Sequence, residues 1–540
     1  MKKTARWLIV GVIVLALIGL AVWARSQTPM VARASEAWSR GRVIGRTPVK
    51  RPVALQPAPD GGVFVIWPNM DSQLRLVHIG VDGEVSTDRI LPVEANEARD
   101  PQLQVGPDGR LHVLWRDEGR PDSTIRYALL EADGTPVGES RILSGSARGN
   151  LDAPQLMRGA EEHLHALWSD EDGTYWAVLD RDGGVVAEPI LLISEGRQPV
   201  IQVDEGGRPH LIWQQRTGPH TRAIYYGVID LQEGILDTSE EITEIVLSGV
   251  SLQATALGLS TNTGYVLWSD YDRTFDRYRF YYAFFPLDAP QQKQINPWRL
   301  KIGNGPLAIS PLSGPHAPLP VALSEQMVSP ERGAELQIAL IMVGRGEAEE
   351  QIVSASTQAS LKPVMGMDDR SYLHLAWLET AGFGEYQVVY ASTAPEVMEN
   401  FNALTMFDAA NAVLSKVFQF SMGIVTTWVV IIVWAMVPLL GLAIYHFVTS
   451  DEMLDNTRSQ VALVAALAVE VALSFAMPPL VGGETAWPAL RWVAPVVTAA
   501  AAAAITRGIL PRQETPHLFG TFFLFTLVNS LLQMILYLLF

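Results

Sequence analysis

Seven polar residues recur at one place in a repeat: Asn69, Asp117, Asp170, Gln215, Asp270, Glu325 and Glu379. Each stands two positions after the residue that closes a short apolar run, and that residue is Trp67, Trp115, Trp168, Trp213, Trp268, Leu323 or Trp377. Five of the seven are carboxylates. Carried on one face, Asp117, Asp170, Asp270, Glu325 and Glu379 would form an acidic rim that attracts a cation or a basic partner. The competing reading is that Asp and Asn cap tight turns through their own backbone. Recurrence in every copy favours the capping role.

His112, His165, His210 and His374 each lie three positions before a tryptophan. A repeated histidine suggests a metal cluster, but equivalent positions in successive repeats spread apart unless they lie near a common axis, and ligands must converge on one ion. Packed, hydrogen-bonded histidines are therefore expected. The same reasoning makes packing residues of Tyr127, Trp176, Tyr226, Tyr282 and Tyr390. No metal, cofactor or catalytic residue is assigned. In the C-terminal part Glu470 stands mid-way along an apolar segment, where a carboxylate must be neutral, paired or facing water. Asn529 and Gln533, four apart on one helix face, reach a similar depth and suit as its partners. Arg491 lies beside Glu484 near the outer end of its segment. These residues either glue helices together or mark a proton or ion path.

The elements that must position these groups follow from the spacing. A period of about 50 residues, each unit burying its apolar face only against its neighbours, marks a solenoid or propeller. In the unit around Trp115, four strands are predicted at Pro101–Val105, Arg110–Trp115, Thr124–Glu131 and Glu139–Leu143, with Pro107-Asp108-Gly109 and Ala132-Asp133-Gly134 as turns. Four antiparallel strands make a propeller blade. The interval from Trp268 to Trp377 is twice the others, so a degenerate unit is placed inside it, ending near Leu323. Seven blades result, or six if that stretch is an insertion. The last unit supplies three strands, and Gly41–Gly45 is the predicted fourth, closing the ring and removing a sheet edge.

Met1–Arg6 is basic and Trp7–Trp23 is apolar, which reads as an uncleaved signal-anchor, with a cleaved signal peptide as the alternative. Either way the chain after it is exported. The organisation expected is a signal-anchor helix over 1–25, a linker over 26–40, an exported propeller over 41–393, an amphipathic juxtamembrane helix or an extended start to the next span over 394–416, and a four-helix transmembrane domain over 417–540. Arg507 and Arg512 place their loop in the cytoplasm by the positive-inside rule. The chain has 40 basic and 57 acidic residues, a net charge of −17, and no cysteine. Nucleic acid is thereby disfavoured as a partner, and disulfide or thiol chemistry is excluded.

The Asp/Gly turn followed by an apolar strand ending in tryptophan resembles the repeats of sialidase-type, Asp-box exported β-propellers, over residues 41–393. That family's Asp-box runs Ser-x-Asp-x-Gly-x-Thr-Trp; Ser169-Asp170-Glu171-Asp172-Gly173-Thr174-Tyr175-Trp176 approaches it with altered spacing. The resemblance implies a propeller and, for hydrolysis, three arginines, a Tyr/Glu pair and an Asp acid, none of which maps onto a position here. The expectation is a prokaryotic cytoplasmic-membrane protein displaying a propeller that binds a protein or glycan outside the cell. The alternatives are an exported sialidase-like glycoside hydrolase and a transport or energy-coupling subunit using Glu470.

Overall fold

The computed structural model describes residues 36–540 except 120–122, 145–150, 299–303, 330–332, 345–349, 355, 357, 383, 404–405, 407–431, 477–489, 511–514 and 540. The expected N-terminal anchor, most of its linker, residues 404–405 and 407–416 of the juxtamembrane stretch, the 417–431 start of the four-helix domain, Glu484 and Arg512 lie outside the described residues. The chain divides into two compact units, one spanning Arg33–Ala403 and the other containing Leu404–Phe540.

The first unit is a seven-bladed propeller of seven four-stranded antiparallel sheets. Blade 2 shows the pattern: Ala98–Val105 innermost, then Leu111–Asp117, Thr124–Leu130 and a short outer strand Arg141–Ile142. Its first turn is set locally. Gly109 adopts φ 80°, which a side chain would oppose, and Asp108 Oδ1 accepts the Arg110 N–H at 3.1 Å. The degenerate unit is a full sixth blade built on Leu319–Ser329 and Gly333–Val343. The closing strand is Arg42–Thr47, which pairs with Glu385–Ser392 of blade 7, Val43 opposite Val389.

Tryptophan recurs because of the wedge between blades. Trp115 packs among Leu74, Leu76 and Phe64 of blade 1. Trp168 fills the same space against blade 2, beside Leu114 and Tyr127, and Trp67 closes the ring against Leu378 and Tyr390 of blade 7. Truncating such a side chain costs about 3–5 kcal/mol. Blade 6 carries Leu323 at this position, and blade 5 compensates with Trp298, which stands edge-on to Tyr282 at 5.6 Å beside the same cluster.

One expectation is corrected. The second strand does not end at the tryptophan in every blade. It stops one or two residues later in blades 1–3 (Val63–Pro68, Leu111–Asp117, Leu164–Ser169), but runs four to six residues past that position in blades 4–7 (Pro209–Gly218, Thr263–Asp272, Leu319–Ser329, Leu373–Gly382). The third strand pairs along the whole extension, for example Asp272 with Arg277. Polar residues can lengthen a hairpin that rises into solvent, so the apolar run marks the buried part of the strand and not its end.

The chain enters and leaves the propeller together. Ser39 donates its N–H to the Ser392 carbonyl at 2.8 Å, and Asn402 Oδ1 accepts the Arg40 N–H at 2.9 Å. Helix α1 (Pro395–Asn402) is short and buries Val397 and Phe401 in the blade 1/blade 7 core. Asn400 binds the Asp82 carbonyl and Glu84 in the third-to-fourth strand turn of blade 1. Within the described residues, the apolar face of this part of the juxtamembrane stretch is therefore used by the propeller.

Among the described residues the second unit contains four helices long and apolar enough to cross a membrane: α2 (Ile432–Thr449), α3 (Thr457–Ala476), α4 (Leu490–Ile509) and α5 (Leu518–Leu539). Leu442, Leu463, Ala466, Leu518 and Phe522 form a core shared by α2, α3 and α5 at one end. There the two connecting loops meet: Leu518 donates its N–H to the Glu452 carbonyl at 2.8 Å, and Leu454 to that of Pro516 at 3.0 Å.

Candidate functional site

The seven recurrent polar residues sit on the propeller face opposite the chain's entry and exit, at the base of the second-to-third strand hairpins. They do not make an exposed acidic rim. Asp117, Asp170, Asp270 and Glu325 are buried, at 1%, 7%, 4% and 0% exposure, and Glu379 is half-buried. Asn69 and Asp170 cap their own turns, each accepting two backbone N–H groups through Oδ1. Asp117 instead accepts the N–H groups of Asn96 and Glu97 from the preceding connector and pairs with Arg126 at 3.2 Å. Asp270 holds Arg279 bidentately at 2.7 and 3.0 Å. Gln215 and Glu379 accept the Nε1–H of their own blade's tryptophan. One position thus serves several structural tasks, and its charge is consumed within the blade.

Glu325 is the exception. Among the described residues its carboxyl finds no cation, and it lies against a second carboxyl, that of Glu350. Burial, and then the Glu350 carboxyl beside it, push its pKa up to about 10, so it is a neutral acid at physiological pH.

The histidines pair with the third-strand aromatics. Nδ1 of His112, His210 and His374 lies 2.7, 2.6 and 2.7 Å from the hydroxyls of Tyr127, Tyr226 and Tyr390. In blade 3 the Trp176 Nε1–H donates to His165 at 3.3 Å. His210 Nε2 lies 3.1 Å from Asp204, a turn residue, leaving Nδ1 to accept the tyrosine proton. Burial holds His112 and His165 down to a pKa of about 4, so both are neutral. Blade 1 exchanges the roles: Phe64 takes the second-strand place and stacks on His78 at 4.3 Å. The pairing recurs in blades 2, 3, 4 and 7 and, with roles exchanged, in blade 1, which makes it a structural device of the blade and not a converging ligand set. Among the described residues no group of three His, Asp or Glu could hold a metal.

Sequence reasoning missed a charged cluster on the same face. The innermost strands of blades 2, 4 and 7 bulge at a residue before proline, and Asp100, Gln198 and Lys362 there adopt φ 48°, 51° and 52°. Asp100 is buried and takes Arg116 at 2.8 Å and Arg51, from the blade 7 to blade 1 connector, at 3.7 Å. Burial first, then Arg51 and Lys50, lower the Lys362 pKa, while Asp100 opposes them. The repeated X-Pro at the start of these strands was the available signal. Its meaning depends on the strands being innermost, which only closure decides.

Above this floor the four longer hairpins rise. At about 3.3 Å per residue, the extra residues of blades 4–7 lift their tips by about 10 Å. The blade 5 tip is tied together by side chains. Tyr271 and Tyr278 stack at 4.8 Å, the Tyr271 hydroxyl donates to Asp276, and Arg277 lies over the ring of Phe275, which is 66% exposed.

In the second unit Glu470 is fully buried between α3 and α5. Thr526 donates to its Oε2 at 2.5 Å and Asn529 Nδ2 to its Oε1 at 3.2 Å. Asn529 is therefore its partner, as the spacing suggested, whereas both polar atoms of Gln533 lack a partner. Arg491 lies in the first turn of α4. A separate cavity of about 320 Å³ opens near Arg507, walled by Leu467, Thr506, Leu510 and Phe525.

No protein-family model matches the chain, and no curated protein matches it in sequence. Among solved structures it is similar to the polysaccharide lyase Uly1, at 9% identity over 64% of this chain and 90% of that one, with a TM-score of 0.46. It is similar to the α-L-arabinofuranosidase arb93a from Fusarium graminearum, at 12% identity over 66% and 98%, TM-score 0.41. It is also similar to the Trypanosoma rangeli sialidase, at 13% identity over 64% and 61%, TM-score 0.38. The likeness to sialidase-type propellers is one of fold and carries no argument about activity.

Proposed function

We propose that this is a membrane-anchored propeller that binds an extracytoplasmic protein or glycan on the face opposite its chain ends, without catalysing a reaction on it. The observation that carries the reading is the asymmetry of that face: the second and third strands of blades 4–7 extend well past the inter-blade core while those of blades 1–3 stop near it. A residue lengthening a strand in solvent adds little to the core, so four consecutive extended blades point to a wall raised for contact. The blade 5 tip supports this, because an exposed aromatic backed by arginine is the side-chain pairing enriched at recognition surfaces. On this reading the four apolar helices anchor the propeller in the cytoplasmic membrane of a prokaryote, and the loop carrying Arg507 and Arg512 faces the cytoplasm.

A photo-crosslinking amino acid at position 275, in the full chain in its native membranes, tests the reading. A discrete crosslinked partner is expected from position 275 and not from Val137, an exposed position on the other face. Equal crosslinking from both positions, or none from either, counts against a dedicated binding face. Turnover of fluorogenic glycosides by the purified chain would favour the hydrolase instead.

A further inference from the structure

We propose that Glu470, Asn529, Ser530 and Gln533 form a binding site for a desolvated monovalent cation of sodium size within the transmembrane helices. All four are fully buried. Thr526, Asn529, Ser530 and Gln533 follow one another at helical spacing along one face of α5, and that face meets Glu470 on α3.

Two observations point to a ligand. The first is charge. Thr526 and Asn529 each donate a proton to a different oxygen of Glu470, the arrangement that suits an ionised carboxylate. Among the described residues no Lys, Arg or His pairs with it. A lone negative charge in hydrocarbon is costly, so a positive charge must accompany it. The second is the set of unpartnered atoms. Asn529 Oδ1, Ser530 Oγ, and Oε1 and Nε2 of Gln533 have no hydrogen-bond partner. Leaving several buried polar atoms unmade in a membrane costs several kcal/mol in total. Helix adhesion alone does not account for this, since polar groups that glue helices do so by bonding to each other.

A proton on Glu470 would answer the charge but leave Ser530 and Gln533 unpartnered. A cation answers the charge and takes the three unpartnered oxygens, Asn529 Oδ1, Ser530 Oγ and Gln533 Oε1. The donors offered to it are all oxygen: the carboxylate, two amide carbonyls and a hydroxyl, which suits a hard cation. One carboxylate balances one positive charge, so a monovalent ion leaves the site neutral, whereas a divalent ion would leave it charged. Thr526 is a positioning residue that holds Oε2.

Dicyclohexylcarbodiimide, which adds to a protonated carboxyl to leave an N-acylurea, reports on Glu470 directly. The full-length protein in detergent is equilibrated in sodium chloride or in choline chloride at equal ionic strength, and labelling of the Glu470 peptide is followed by mass spectrometry. Sodium is expected to slow labelling at least about tenfold, as mass action requires once it exceeds its dissociation constant about tenfold. Gln533→Leu should still be labelled in choline, yet need at least about tenfold more sodium for the same protection. Glu470→Gln should show no label on that peptide. Equal labelling rates in sodium and choline overturn the proposal: if the rate follows pH the site holds a proton, and if there is no labelling in either salt the cluster is sealed and structural.

Discussion

At the level of single residues, burial decides what a titratable group does in this protein. His112 and His165 are held neutral, with folded pKa values of about 4 against an ordinary 6.5. The unfolded chain therefore binds more protons between these values, and stability rises with pH across that window. It is fully present above about pH 6.5 and is lost as pH falls toward 4, by up to about 3 kcal/mol per histidine. Thermal unfolding of the full chain in detergent at pH 7.5 and 4.5 measures the loss, and the double variant His112→Gln, His165→Gln should flatten the profile. Glu325 has the opposite sign. Its folded pKa, raised to about 10, means that the folded state favours the protonated form and loses stability as pH rises through and above the unfolded value. Glu325→Gln should raise stability at pH 7 by up to about 3 kcal/mol, read as a higher unfolding temperature. A lower temperature would show that the carboxyl makes an interaction the amide cannot replace.

At the level of elements, the closing strand and the tall hairpins have separable jobs. Gly45 in the closing strand packs on the blade 1 tryptophan: a Cβ there would come within 2.2 Å of Trp67 Cζ2. Gly45→Val should cost about 2 kcal/mol or more, because overpacking against a rigid ring forces the strand out of register. Its unfolding midpoint should fall accordingly, and an unchanged midpoint would mean the ring does not depend on this strand for closure. Phe275 is different. It is exposed at a hairpin tip, so Phe275→Ala should change stability by no more than about 0.5 kcal/mol. The same variant should weaken partner capture if the raised wall is the binding surface. A fall in stability without a loss of binding would return the tip to a structural role.

At the level of the whole molecule, the absence of cysteine makes sidedness directly measurable. A single cysteine introduced by Phe275→Cys should react with a membrane-impermeant maleimide in intact cells. Gly508→Cys, beside Arg507, should react only after permeabilisation. The reverse pattern would place the propeller in the cytoplasm and remove the proposal that it meets an exported partner. The meeting of the α2–α3 and α4–α5 loops at one end already requires those two loops to share a side.

The repeat and its period, the degenerate blade at Leu323, the donated strand near Val43 and the four apolar C-terminal segments were all legible in the sequence. Each is a local pattern of apolar spacing, and the radial ring is the arrangement in which a Trp-bearing face of every blade meets a neighbour. The partnership of Asn529 with Glu470 was legible for the same reason, since helical spacing fixes which residues share a face. What the polar residues do was not legible. Asp117, Asp170, Asp270, Glu325 and Glu379 occupy one repeat position, yet a connector N–H, a turn, an arginine, another carboxyl and a tryptophan meet them in turn. Those partners come from the adjoining strand, turn or connector of the same blade, and these segments differ in sequence from blade to blade, so a shared repeat position does not fix the partner.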